Sequence, residues 1–145
     1  MIVPDLNLLI YAHDSESPFH RRSREWWESV LGDPNQVVGV APLVGIGFVR
    51  LTCNPRIMKS PILIEQAEEI VLGWFKSGAY LMEVTPRHFE IFFELLKGAN
   101  AGPNLTSDAH IAALAIEHDG TVYSNDTDFI RFKGVKVVNP LRVGN

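Results

Sequence analysis

The sequence predicts an α/β protein with three α/β/α layers around a central parallel sheet of about five strands. Three observations carry that expectation. Short runs rich in β-branched and apolar residues alternate with longer segments of helical period, and strands separated by helices pair in parallel because the connection must cross over the sheet. Turn signals punctuate nearly every boundary. The length of 145 residues matches one domain with one sizeable core, so residues 1–145 are read as a single domain.

Met1 to Val3 is the first strand, ended by Pro4, because proline sits at strand ends or edges. Leu6 to Ala12 begins a helix, and Phe19 to Leu31 continues the helical period through Trp26, Trp27 and Val30 until Gly32-Asp33-Pro34. Successive helix positions differ by about 100°, so only one of the adjacent tryptophans faces the core and the other is a partner-contact candidate. Gln36 to Ala41 is the second strand, and Pro42 fits the first turn of a helix running to about Thr52. After the Asn54-Pro55-Arg56 turn, Ser60-Pro61 starts a helix carrying Ile64, Ala67, Ile70, Val71, Trp74 and Phe75, closed by Gly78. Tyr80 to Val84 is the third strand. Thr85-Pro86 then caps a helix with Phe89, Phe92, Phe93 and Leu96 on one face. Thr106 or Ser107 caps the alanine-rich helix SDAHIAALAIEH, with Asp108 in its first turn, and Thr121–Ser124 and Val135–Val138 complete the sheet around the polar turn Asn125–Phe129.

Composition narrows the class. Hydrophobic residues make up 46% and charged residues 21%, which excludes a disordered or low-complexity chain. The longest uncharged stretch, Pro34 to Val49, is too short for the ~20 apolar residues of a membrane span, and the N-terminal run does not read as a secretory signal. One cysteine, Cys53, excludes an internal disulfide and a thiolate metal cage; it is read as a small buried hydrophobe in a reducing, cytoplasmic protein with no membrane partner.

Ligands of open parallel sheets bind beyond the carboxyl ends of the strands. That edge is acidic here. Asp5 follows the first strand, Asp126 and Asp128 follow the fourth, and Asp108 opens the helix feeding the fourth; if strands one and four are neighbours, all four converge. Clustered carboxylates repel unless a cation lies among them, and an all-oxygen set selects Mg²⁺ or Mn²⁺. Such a site suits phosphodiester hydrolysis. The expected metal ligands are Asp5, Asp108 and Asp126, with Asp128 as a further ligand or water-orienting group. Asn7, Thr106 and Ser124 are candidates for hydrogen bonds to the cluster, and Asn125 for fixing the turn. The net charge of −4 does not exclude a nucleic-acid substrate: setting these four apart from the 17 acids leaves as many acids as the 13 bases.

The pieces PDLNLLIYA, GFVRLTCNPRI, SDAHIAALAIEH and TVYSNDTDFIRFKGVKVVNP resemble, in that order and spacing, the PIN-domain family and within it the VapC-type toxins of toxin–antitoxin pairs. The resemblance implies a Mg²⁺- or Mn²⁺-dependent endoribonuclease acting on structured RNA such as transfer or ribosomal RNA, working as a homodimer and silenced by a cognate antitoxin. It places Asp5, Asp108 and Asp126 on the family's metal-binding acids and Asp128 on an accessory acid. It also implies a glutamate on the helix after the second strand, where this chain has Gly47, flanked by Gly45, Ile46 and Phe48.

Two rival readings stand beside the nuclease. One is a catalytically weakened PIN-fold protein that binds RNA or its antitoxin for want of that glutamate. The other is a phosphatase-like enzyme with Asp5 as nucleophile, disfavoured because DLN lacks a second acid two residues on. Arg50 and the run Arg21-Arg22-Ser23-Arg24 are read as structural or solvated, and His110 and His118 as structural, since no HExxH arrangement is present.

Overall fold

The computed structural model describes residues 1–142. Its elements are β1 (Ile2–Pro4), α1 (Leu6–His13), α2 (His20–Gly32), β2 (Gly39–Val40), α3 (Pro42–Thr52), α4 (Ile64–Lys76), β3 (Tyr80–Leu81), α5 (His88–Gly98), α6 (Thr106–Glu117), β4 (Thr121–Tyr123) and β5 (Lys136–Val138). Short 3-10 turns cover Pro103–Leu105 and Thr127–Arg131.

All strand pairs are parallel. They form a three-stranded sheet in the order β1-β4-β5 and a two-stranded sheet of β2 and β3, joined by a single bridge between Ile2 and Val38. The five expected strands are therefore present, divided three and two, with β2 and β3 much shorter than their apolar runs. Pro4 explains the division. Along a strand, alternate residues turn their amides to the same neighbour; Ile2 N–H donates to Val37 O at 2.7 Å, so the next amide aimed at β2 belongs to residue 4, a proline with no N–H. The ladder to β4 is untouched, because Asp5 N–H faces the other way and donates to Tyr123 O at 2.9 Å.

The core lies on both sides of these strands, with Val3, Val40 and Val122 fully buried between Leu8, Leu9, Phe48 and the alanines of α6. Ala109, Ala112, Ala113 and Ala115 are all buried, so α6 is enclosed by the sheet and its flanking helices and packs close to both. Gly120 permits the tight return into β4: a Cβ there would stand 2.9 Å from Val3 Cγ2 and 3.2 Å from Met1 O.

Several local expectations are corrected. Helix α4 begins at Ile64, four residues later than the Ser60-Pro61 signal, and Gln66 Oε1 accepts the Leu63 N–H at 2.9 Å. Helix α5 begins at His88, after a turn in which Thr85 Oγ1 accepts the Arg87 N–H at 3.3 Å while donating to Glu117. The face of α5 turned to the core carries His88, Ile91 and Leu95; Phe92 and Leu96 lie at its margin, while Phe89 and Phe93 are 67% and 54% exposed. Thr106 is the first residue of α6, and its hydroxyl donates to Pro103 O at 2.9 Å. Cys53 is only half-buried. Of the two tryptophans, Trp27 is buried and Trp26 lies partly buried on Tyr123, with ring centroids 5.6 Å apart.

Candidate active site

Because β1 and β4 are paired neighbours, the chain leaves both strands at the same edge, with Asp5 beside Ser124. Both are buried, and the Ser124 hydroxyl donates to Asp5 Oδ2 at 2.7 Å. Ser124 Oγ itself accepts the Asp126 N–H at 2.9 Å, and Asp126 Oδ1 in turn accepts the Asp128 N–H at 2.9 Å, capping the 3-10 turn. One run of hydrogen bonds thus orders three of the four aspartates.

Asp108 enters from the first turn of α6. Carboxylate oxygens of Asp108, Asp126 and Asp128 lie within 4.8 Å of one another, each side chain half-buried. Asp5 stands behind this trio, tied to it through Ser124. All four expected residues meet at one edge, with the tightest oxygen cluster formed by Asp108, Asp126 and Asp128.

The charges act on one another. Burial first, then Asp5, Asp126 and Asp128, push the Asp108 carboxyl up to about 7. Asp5 is also raised, mainly by burial and further by Asp126; the Ser124 hydroxyl, with weaker help from the amides of Leu6 and Asn7, works against that rise. Four acids with no cation among them strain the site electrostatically. An all-carboxylate donor set at these separations fits a hard divalent cation, whose ligand oxygens lie about 2.0–2.6 Å from the ion.

The surrounding candidates divide. Ser124 holds the cluster as expected, and Asn125 Oδ1 accepts from Asn139 Nδ2 at 2.9 Å, tying the turn to the end of β5. Asn7 contributes its backbone while its side chain is exposed, and the Thr106 hydroxyl is spent on Pro103. Arg50 is exposed and forms no ion pair among the described residues, whereas Arg21 and Arg24 pair with Glu25 and Glu28 along the exposed face of α2. At Gly47 a Cβ would stand 2.6 Å from Leu6 Cδ2, so the leucine following Asp5 fills the space a side chain there would need.

Sequence reading missed one polar cluster. Glu117 at the end of α6 accepts hydrogen bonds from His88 and Thr85, and His88 also bonds His110; His118 Nε2 meets Glu83 O at 2.8 Å. Only the spacing of Glu117 four residues short of β4, opposite a Thr-Pro turn, hinted at it.

A parallel α/β fold with aspartates gathered where β1 and β4 end defines the class. The chain belongs to the PIN-domain family: the PIN domain profile matches residues 2–135. Among its relatives is Ribonuclease VapC33 of Mycobacterium tuberculosis, 35% identical over 143 residues, covering 98% of this chain and 99% of that protein. The fold is also that of the structure of FitAB bound to an IR36 DNA fragment (TM-score 0.72, 24% identity, 100% and 99% of the two chains). It is shared with VapBC2 from Rickettsia felis bound to a DNA fragment from their promoter (TM-score 0.68, 21% identity, 96% and 98%).

Proposed function

We propose that this chain is a Mg²⁺- or Mn²⁺-dependent endoribonuclease, the toxin of a toxin–antitoxin pair, cutting structured RNA of the transfer or ribosomal class in the cytoplasm. The observation that carries the reading is the carboxylate cluster of Asp108, Asp126 and Asp128, with Asp5 joined to it through Ser124. Its relatives are named ribonucleases, which supports the same reading.

In this account Asp5, Asp108 and Asp126 hold the cation and Asp128 completes its shell or orients the attacking water. A bound divalent cation supplies a more acidic water and stabilises charge developing on phosphate oxygens. Ser124 fixes the Asp5 carboxylate and the Asp126 backbone, so neither acid must reorganise when substrate arrives. Asp128 is set by its own amide on Asp126. The active form is a homodimer, and a cognate antitoxin binds it and blocks cleavage.

The test is cleavage of pooled transfer and ribosomal RNA by the purified chain with Mg²⁺, Mn²⁺ or chelator, alongside Asp5→Asn. The expected result is metal-dependent cutting that the substitution abolishes. Equal cutting by both proteins, or undiminished cutting in chelator, overturns the proposal.

A further inference from the structure

A second chain of titratable side chains lies between α5 and α6, apart from the aspartates. The Glu117 side chain is 1% exposed, and its carboxylate accepts from Thr85 N–H and Thr85 Oγ1, both at 2.7 Å, and from His88 Nδ1 at 2.5 Å. His88 Nε2 lies 2.9 Å from Nδ1 of His110. Pairing α5 to α6 needs only Glu117 and His88. His110 extends the chain outward, and its remaining nitrogen, Nε2, has no hydrogen bond among the described residues. It is open to solvent, since Ser23 Oγ is the one unpartnered buried side-chain polar atom among those residues.

His110 edges a shallow cavity of about 440 Å³ walled by Leu43, Ile46 and Phe92, with Thr106 and Ser107 beside it. Residues 106, 107 and 110 share a helix face, and Asp108 directly follows Ser107 on α6, so cavity and acidic cluster flank one helix turn. The Phe92 ring is braced by Phe89, Phe93 and His88, with centroids 5.9, 5.1 and 6.4 Å away. An aromatic wall bordered by a hydroxyl and an oriented imidazole is the pairing that recognises an unstacked base, whose face stacks while its edge hydrogen-bonds.

We propose that this cavity is a nucleobase subsite: a base adjoining the scissile linkage lies against Phe92, Leu43 and Ile46, and its edge is read by His110 Nε2 and the Ser107 hydroxyl. The inference rests on the ribonuclease reading. Glu117 and His88 are positioning residues here. They hold the His110 ring through its Nδ1, leaving Nε2 for the base.

Two measurements test it. In the first, the whole protein with ¹⁵N-labelled histidines, kept in chelator, is titrated with each of the four nucleoside 5′-monophosphates. At least one should shift the His110 Nε2 resonance saturably, and Ser107→Ala should weaken that binding. In the second, cleavage sites are mapped for wild type, Ser107→Ala and His110→Gln, each first shown to melt cooperatively. Preference for the base beside the cut should relax about tenfold, the worth of one hydrogen bond of ~1.4 kcal/mol.

Nucleotides that leave the resonance unmoved, together with unchanged base preference in variants that still cut, overturn the subsite. A change of sedimenting mass in His110→Gln with base preference intact assigns the cavity to a protein–protein surface and overturns it too. Failure of the wild type to cut any RNA overturns the ribonuclease reading, while the metal-free titration still judges the cavity.

Discussion

Burial and three neighbouring carboxylates make the ionised form of Asp108 costly. Its folded carboxyl titrates near 7 and an unfolded one near 3.8, so between those values the native chain keeps a proton that the unfolded chain has released. Stability contributed by that proton is full below the lower value and is lost as pH rises through the higher one. The melting temperature of chelator-treated protein should therefore fall between pH 5 and pH 8, and Asp108→Asn should flatten the fall. Mg²⁺ added at pH 8 should raise the melting temperature of the wild type more than that of the variant. Ser124→Ala leaves the four acids in place but frees Asp5 from its donor and the Asp126 amide from its acceptor; titration calorimetry should show divalent-cation affinity ~10–100-fold weaker. The acids were legible because each adjoins a strand end or a helix start, positions that turn signals mark. Glu117 and His88 were not, since their pairing depends on how two helices dock.

At the scale of elements, α5 shows where periodicity runs out. Its sequence offers two apolar stripes, and aromatic content favours the one through Phe89 and Phe93. The helix instead turns His88, Ile91 and Leu95 inward, which brings His88 onto the Glu117 carboxylate. Burial alone would raise Glu117, but the His88 and Thr85 hydrogen bonds outweigh it and hold the acid below its usual range. His88→Ala removes the imidazole partner of that buried carboxylate and leaves only Thr85 to hold it, and should cost about 1–3 kcal/mol in chemical denaturation at pH 7. The opposite sign is expected in α2, where the Ser23 hydroxyl is fully buried without a partner among the described residues. Ser23→Ala should stabilise by about 1 kcal/mol in the same assay, through a removed desolvation penalty and better helix propensity. The three-plus-two sheet follows from Pro4, visible in the sequence as a strand terminator; its effect on one neighbour only required knowing which way the Ile2 amide points.

The whole molecule works by topology. Parallel pairing of β1 with β4 brings residue 5 beside residue 124 across most of the chain, and α6, enclosed through its alanines, delivers residue 108 to the same edge. The fold class and this convergence were legible in the alternation of strands and helices; strand lengths and the α5 face were not, because they depend on packing partners far away in sequence. The most direct test of the account is whether the acidic edge holds one shared cation. Free Mn²⁺ would be followed by electron paramagnetic resonance during titration of the wild type and of Asp126→Asn, whose amide oxygen can still cap the Asp128 turn. Saturable uptake by the wild type that the variant largely loses is the expected result; identical uptake by the two, or none by the wild type, would contradict it.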